Sequence, residues 1–544
     1  MKPFLYIFII SLFFSCSQNK EQVDLLVTNA NVYTVNDAFD VVEAFAVKDK
    51  QIIAVGTTKD IQQKYTSSTV YNLEGKTVVP GFIDAHAHFY GFGESLQTVD
   101  LTGAKSYDEV LQRVVDFQNR KQKDFIKGRG WNQNLWEDKE FPTKDKLDSL
   151  FPDTPVVLTR IDGHAFLVNQ KVLDMADITA KTKLPGGEVV LKNGQPTGVL
   201  IDKPMELVKA IAPKTSVAES VTALKDAQDI CFSYGLTTVN DAGLEREIIE
   251  LIDSLQKANE LNIRIYAMVS GNKPATLDYY LKEGIVKTDY LNVRSVKVYG
   301  DGALGSRGAA LKAPYTDKPD HHGAMVTQPE ELQELANRIV KTDYQMNTHA
   351  IGDSANAFVL KTYQEVLKNQ KDRRWKIEHA QVIAPEDFSF FKNENVIPSV
   401  QPTHATSDMY WAEERLGAKR IKGAYAYQDL LNQAGKIALG TDFPIEHVSP
   451  FYTFYAAVAR KDLEAYPSGG FQTENALSRE DALRGMTIWA AYSNFEENEK
   501  GSIEVGKWAD FIILDTDLMT APESDLPHSK VEATFVGGEK VFEK

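Results

Sequence analysis

The chain has 544 residues, 43% of them hydrophobic, and a formal net charge of −16. It is long enough to bury a large core, which excludes a disordered protein, and its acidic balance excludes a basic surface of the kind that neutralises nucleic-acid phosphates. A small molecule is the expected partner.

The first residues stand apart from the fold. Lys2 precedes the apolar run FLYIFIISLFFS, then come Cys16 and the polar SQNKEQ. The run is short for a bilayer span and has the basic start and small-residue end of a secretory signal. FFSCS resembles a bacterial lipoprotein signal, in which Cys16 becomes the lipidated first residue, with Phe13 standing where Leu is usual; an ordinary signal and an uncleaved anchor are the alternatives. Residues 1–22 are read as signal and tether, and the protein as exported to the periplasm or cell envelope, with a lipid on Cys16 as its membrane contact. Cys231 is the one other cysteine, so no intramolecular disulfide is expected.

Residues 23–79 hold β-branched runs broken by Asn, Asp and Gly, such as DLLVTNANVYTV, and residues 496–544 resume the same style in GSIEVGKWADFIILD and VEATFVGGEKVF. Both ends are therefore predicted to meet in one small, discontinuous β-sandwich domain. Across 80–495, eight apolar β-like runs alternate with charged helical segments: TVVPGFIDAHAHF, GLTTVNDAG, NIRIYAMVS, VRSVKVYGDG, YQMNTHAIGD, RRWKIEHAQ, NVIPSVQPTHA and KIALGTDFPI. This is the pattern of an α/β protein, a (β/α)8 TIM barrel with its chemistry at the C-terminal strand ends. The gap after the first run, about 95–230, is too long for one βα connection and is read as an insertion bordering the barrel mouth. It contains a hairpin signal at Asn193-Gly194.

The polar residues that close these runs carry the chemistry. His86 and His88 alternate with Ala87, so both point the same way from the first strand end, where two imidazoles suit one metal ion. His349, His379 and Asp442 close the fifth, sixth and eighth runs, and Lys297 lies within the fourth. A lysine inside an apolar strand is costly unless paired or chemically used; pairing with Asp301 is the plain alternative.

This set, His-x-His, Lys, His, His and Asp on those strands, resembles the binuclear amidohydrolase superfamily. VPGFIDAHAHF, DGALGSRGAAL, THAIGD, IEHAQ, QPTHATSDM and GTDFPIE are similar to the branch of N-substituted formamide deformylase and YtcJ-like proteins. The resemblance implies two divalent ions, most often zinc, one on His86, His88 and Asp442, the other on His349 and His379, bridged by an N-carboxylated Lys297. It implies hydrolysis of a non-peptide C–N amide bond in a small molecule, with Asp442 carrying the proton. His404, after the seventh run, is read as an oxyanion donor or a capping histidine. Asp301 and Arg307 in GDGALGSRGAA are read as substrate contacts or loop-shapers, and His164 and Trp131 in the insertion as pocket residues, with a core role as the competitor for Trp131. A deaminase or cyclic-amide hydrolase, and a surface binding protein without catalysis, are the alternative functions. Assembly of identical chains stays open.

Overall fold

The computed structural model describes residues 20–184 and 187–544, so Cys16 and the leader lie outside the described residues. Among them no helix is long and apolar enough to cross a membrane.

Eight parallel strands form the barrel: β1 (Phe82–Ala87), β2 (Leu236–Leu244), β3 (Arg264–Ser270), β4 (Leu291–Tyr299), β5 (Gln345–Ala350), β6 (Trp375–His379), β7 (Val396–Val400) and β8 (Ala438–Leu439), hydrogen-bonded in that order. Every residue of β3 is buried, because helices cover the outside and side chains fill the inside, which is why its middle, residues 265–269, reads as an unbroken apolar run between Arg264 and Ser270. The covering helices show the complementary period. In Arg246–Lys257, Ile249, Ile252 and Leu255 recur every third residue and face the sheet while the charged residues face water. Truncating Ile252, which is fully buried, to Ala would cost about 2–5 kcal/mol.

The last strand has only two residues and forms no ladder with the first, so side chains complete the seam. The Asp84 carboxylate accepts from the Thr441 N–H and hydroxyl, and the Asp442 N–H donates to the His86 carbonyl at 2.8 Å.

The two chain ends do meet. Strand Phe511–Leu514 runs antiparallel to Thr77–Pro80 with Ile512 opposite Val79, inside a six-stranded sheet that faces a four-stranded one containing Leu25–Thr28 and Ala44–Lys48. Their shared core holds Val27, Phe45, Val78, Phe511 and Phe535, with Phe511 and Phe535 stacked at 4.3 Å. Arg264, at the start of β3, ties this unit to the barrel through a buried two-pronged pair with Asp510 at 2.6 and 2.9 Å.

After β1 the chain builds a further six-stranded sheet, running from Val99–Asp100 to Gln195–Asp202. Asn193 and Gly194 both take positive φ, 51° and 76°, in its hairpin, the turn that Asn-Gly favours. The insertion is shorter than 95–230. Helix Val217–Ser233 turns Leu224, Ala227 and Cys231 into the barrel's own core and covers it like the other barrel helices.

Candidate metal centre

The strand ends deliver one cluster. The His86 and His88 rings lie 5.7 Å apart, His86 and His379 4.9 Å, His349 and His379 4.5 Å, and His379 and His404 5.8 Å. Asp442 Oδ1 lies 3.3 Å from His88 Nε2 and 3.6 Å from His86 Nε2, and its Oδ2 lies 3.7 Å from His404 Nε2. Lys297 Nζ sits 2.9 Å from His86 Nε2, facing the histidine rather than Asp301. Two members hold left-handed backbone, His379 at φ 72° and Asp442 at φ 63°, a strain that persists only where surrounding structure enforces it.

Neighbouring acceptors fix which ring nitrogens carry protons. His86 Nδ1 meets Glu378 Oε2 at 2.6 Å, His88 Nδ1 the Ala242 carbonyl at 3.2 Å, and His379 Nδ1 the Gln401 Oε1 at 2.6 Å. Carboxylate, carbonyl and amide oxygens only accept, so each Nδ1 carries the hydrogen and each Nε2 is left with its lone pair. His86 Nε2, His88 Nε2 and the Asp442 carboxylate then present three electron-pair donors to one another, all within 4.8 Å. That arrangement is repulsive unless a cation lies among the donors, and orientation of ligating imidazoles by outer oxygens is how metal sites are built. The residues fit a divalent ion.

Electrostatics agree with this donor character. Burial, reinforced by Lys297, lowers His86 and pushes His349 down to about 3, and burial takes His379 well below the ordinary range. All three are neutral at neutral pH, as ligands must be. Burial works against the Asp442 charge, and with lone pairs on the His86 and His88 Nε2 atoms that face it the carboxylate requires a cation beside it to remain ionised there. Burial also lowers Lys297.

β2 holds the turn that follows His88. The buried Asp241 carboxylate accepts the N–H groups of Phe89 and Tyr90, each at 3.0 Å, starting the short helix Phe89–Ser95.

Three of the sequence candidates lie elsewhere and a fourth, Asp301, borders the cluster, each for a physical reason. Asp301 is buried, and its two oxygens accept the backbone N–H groups of Ala310, Ile351 and Gly352; it shapes the loops beside His349, with Oδ1 3.7 Å from His349 Nε2. Arg307 spends its guanidinium on Asp317, at 2.7 Å. Trp131 is fully buried in the insertion's own core, its indole N–H donating to the Leu158 carbonyl. His164 is solvent-exposed and pairs with Asp202 at 2.8 Å. Conversely, Glu378 and Gln401 were missed. A carboxylate inside the apolar run RRWKIEHAQ was the available signal for Glu378, overshadowed by the adjacent histidine; Gln401 carried none.

A profile of the amidohydrolase family matches residues 69–542. The chain is 35% identical to protein LONG AFTER FAR-RED 3 of Arabidopsis thaliana over 95% of this chain and 91% of that one. It is 32% identical to the putative amidohydrolase YtcJ of Bacillus subtilis over 94% and 98%, and 26% identical to the N-substituted formamide deformylase of Arthrobacter pascens over 96% and 98%. The crystal structure of an uncharacterised metal-dependent hydrolase from Pyrococcus horikoshii superposes with a TM-score of 0.76 at 29% identity, covering 92% of this chain and 99% of that one. The chain belongs to the amidohydrolase family, in its YtcJ-like branch, and is a metal-dependent hydrolase acting on carbon–nitrogen bonds.

Proposed function

We propose that this enzyme hydrolyses a linear amide bond in a small N-acyl or N-formyl amine, using two divalent ions, zinc by preference. His86, His88 and Asp442 would hold one ion and His349 and His379 the other. Lys297, carboxylated on Nζ, would lie between them. As an unmodified ammonium it occupies the lone pair of His86 Nε2; reaction of the neutral amine with carbon dioxide releases a proton and replaces that buried cation by an oxygen donor. The ions, when bound, supply water activation at neutral pH and polarisation of the scissile carbonyl.

The chain's own part is proton traffic and positioning. Asp442, ionised and ringed by histidines, accepts the proton of the attacking water and returns it to the amide nitrogen, which leaves only once protonated. His404 stands 3.7 Å from the far oxygen of that carboxylate, stacked on His379, and donates to the developing oxyanion.

The observation that carries the reading is the Asp442 carboxylate facing His86, His88 and His404. A relative whose name assigns it N-substituted formamides supports a linear amide. The test is turnover by the zinc-loaded protein on N-formyl and N-acyl amines against cyclic amides, lactones and aminopurines. Linear amides should be hydrolysed fastest; turnover confined to cyclic amides or to deamination would overturn the substrate class.

A further inference from the structure

Beneath the metal centre, the inward positions of β4–β7 are polar where barrel interiors are usually apolar. Lys297, Asn347 and Lys376 are successive register partners, as are His349, Glu378 and Ser399, and register partners in a parallel sheet share a face. All but His349 are buried. Glu378 uses Oε2 on His86, but its Oε1, both amide atoms of Asn347 and the hydroxyls of Ser295 and Ser399 have no protein partner among the described residues. Lys376 has three N–H groups to place, and among the described residues it donates to Asn494 Oδ1 alone, at 2.9 Å. The floor below is closed. Tyr266 donates to Gln345, Gln345 to the Ser493 carbonyl, and Asn494 exchanges bonds with Asn240.

We propose that ordered water molecules, trapped on the barrel axis, bridge the Lys376 ammonium to Glu378 Oε1 through Asn347, Ser295 and Ser399, and that Lys376 and Asn347 are thereby positioning residues for His86. The occupant must both give and take hydrogen bonds, since the lysine and the Asn347 amide nitrogen donate while Glu378 and the Asn347 oxygen accept. A metal cation there would meet Lys297 and Lys376, and an anion would meet Glu378; water serves both sides, and buried polar groups left without protein partners are where internal water collects. Anchored in this way, Glu378 keeps Oε2 on the His86 Nδ1–H and directs Nε2 into the metal cluster. The positioning role rests on the reading of His86 as a ligand.

The first test is a crystal structure of the metal-loaded enzyme at a resolution that orders solvent. Water is expected within hydrogen-bond distance of Asn347, Glu378 Oε1 and Lys376 Nζ; a dry interior, or an ion refined in its place, overturns the proposal whatever the variants do. The second is zinc affinity by chelator competition for Asn347→Leu, Lys376→Met and the double variant. Each single change should weaken zinc binding about 10- to 100-fold, the scale of lost outer-shell support, and the double variant should lose little more, because both changes break one water-mediated bridge. The thermal midpoint of metal-free Asn347→Leu should be unchanged or raised. Wild-type affinity in both singles, multiplied losses in the double, or affinity losses that track metal-free instability would overturn the positioning role. A wild type that binds no zinc would instead remove the metal reading of His86, while the water density is still judged by the crystal structure.

Discussion

The backbone N–H of Asp442 donates to the carbonyl of His86 across 2.8 Å, joining the last barrel strand to the first at the level of the candidate ligands. The bond requires close approach at Gly440, where a Cβ would fall 2.5 Å from the His86 nitrogen and 2.7 Å from Asp84 Oδ1. Gly440→Ala should therefore push β8 from β1, weaken metal binding and cost on the order of 1–3 kcal/mol in overpacking. Metal content and thermal midpoint are the measurements, and a variant matching wild type in both would show that the seam tolerates the shift.

Changing His86 and His88 together to Asn should empty the side of the cluster they share with Asp442. Elemental analysis of wild type should return close to two divalent ions per chain and of the double variant one or fewer. Full retention would remove both histidines from the site.

Lys297→Ala should abolish most turnover and loosen the metal pair, with partial recovery on adding short-chain carboxylates, whose oxygens replace those of the modified side chain. Mass spectrometry or a high-resolution map showing an unmodified ammonium at Lys297 in the active, metal-loaded enzyme would refute the bridge.

How far these residues could be read from sequence depends on what placed them. His86, His349, His379 and Asp442 close apolar runs that the barrel must bury, so their convergence at one end follows from eight strands sharing a direction. Asp301 closes a run too, yet its carboxylate turns to backbone N–H groups of two loops, partners no linear pattern reveals. Trp131 lies in an insertion with a core of its own, and whether an aromatic residue fills such a core or faces a pocket depends on the sheet it joins. Arg307 meets Asp317 ten positions on, a pairing made by the fold of an irregular loop. The missed Glu378 shows the opposite limit: its burial was legible, its partner on β1 was not.

Glu496 gives a prediction about acid stability. It is buried between Lys287 at 2.6 Å and Lys500 at 2.9 Å; burial opposes its charge, but the two lysines outweigh burial and push it down to about 2. A folded-state pKa below the unfolded one means stability that is fully present above about pH 4.5 and is lost as pH falls towards 2. Lys500, pushed down to about 8 by burial, bears the cost of the pair, but it is protonated in both states in acid and leaves this slope untouched. Glu496→Gln strands the buried Lys500 ammonium, while the more exposed Lys287 keeps Glu499 at 2.8 Å, and should destabilise by on the order of 3 kcal/mol at pH 6. The gap in thermal midpoint between wild type and variant should shrink as pH is lowered from about 4.5 towards 2, because the unfolded wild-type chain then takes up a proton at Glu496 that the folded protein binds only near pH 2. A gap independent of pH would mean that the carboxylate acts through shape alone.

The last prediction concerns the reaction and rests on Asp442 as both ligand and proton carrier. Asp442→Asn keeps an oxygen facing His86 and His88 but cannot accept and return a proton. The variant should retain much of its metal while losing on the order of 10²–10⁴ in turnover of an amide, the usual scale for a general acid–base group. An activated ester with the same acyl group should suffer less, since its leaving group departs without protonation. The comparison requires kcat for the matched amide and ester in wild type and variant, with metal content measured in each. Equal losses on both substrates at full occupancy would contradict proton delivery by Asp442 to the leaving nitrogen. Near-wild-type amide turnover would take Asp442 out of the proton path altogether and leave His404, 3.7 Å from the same carboxylate, as the group to test next.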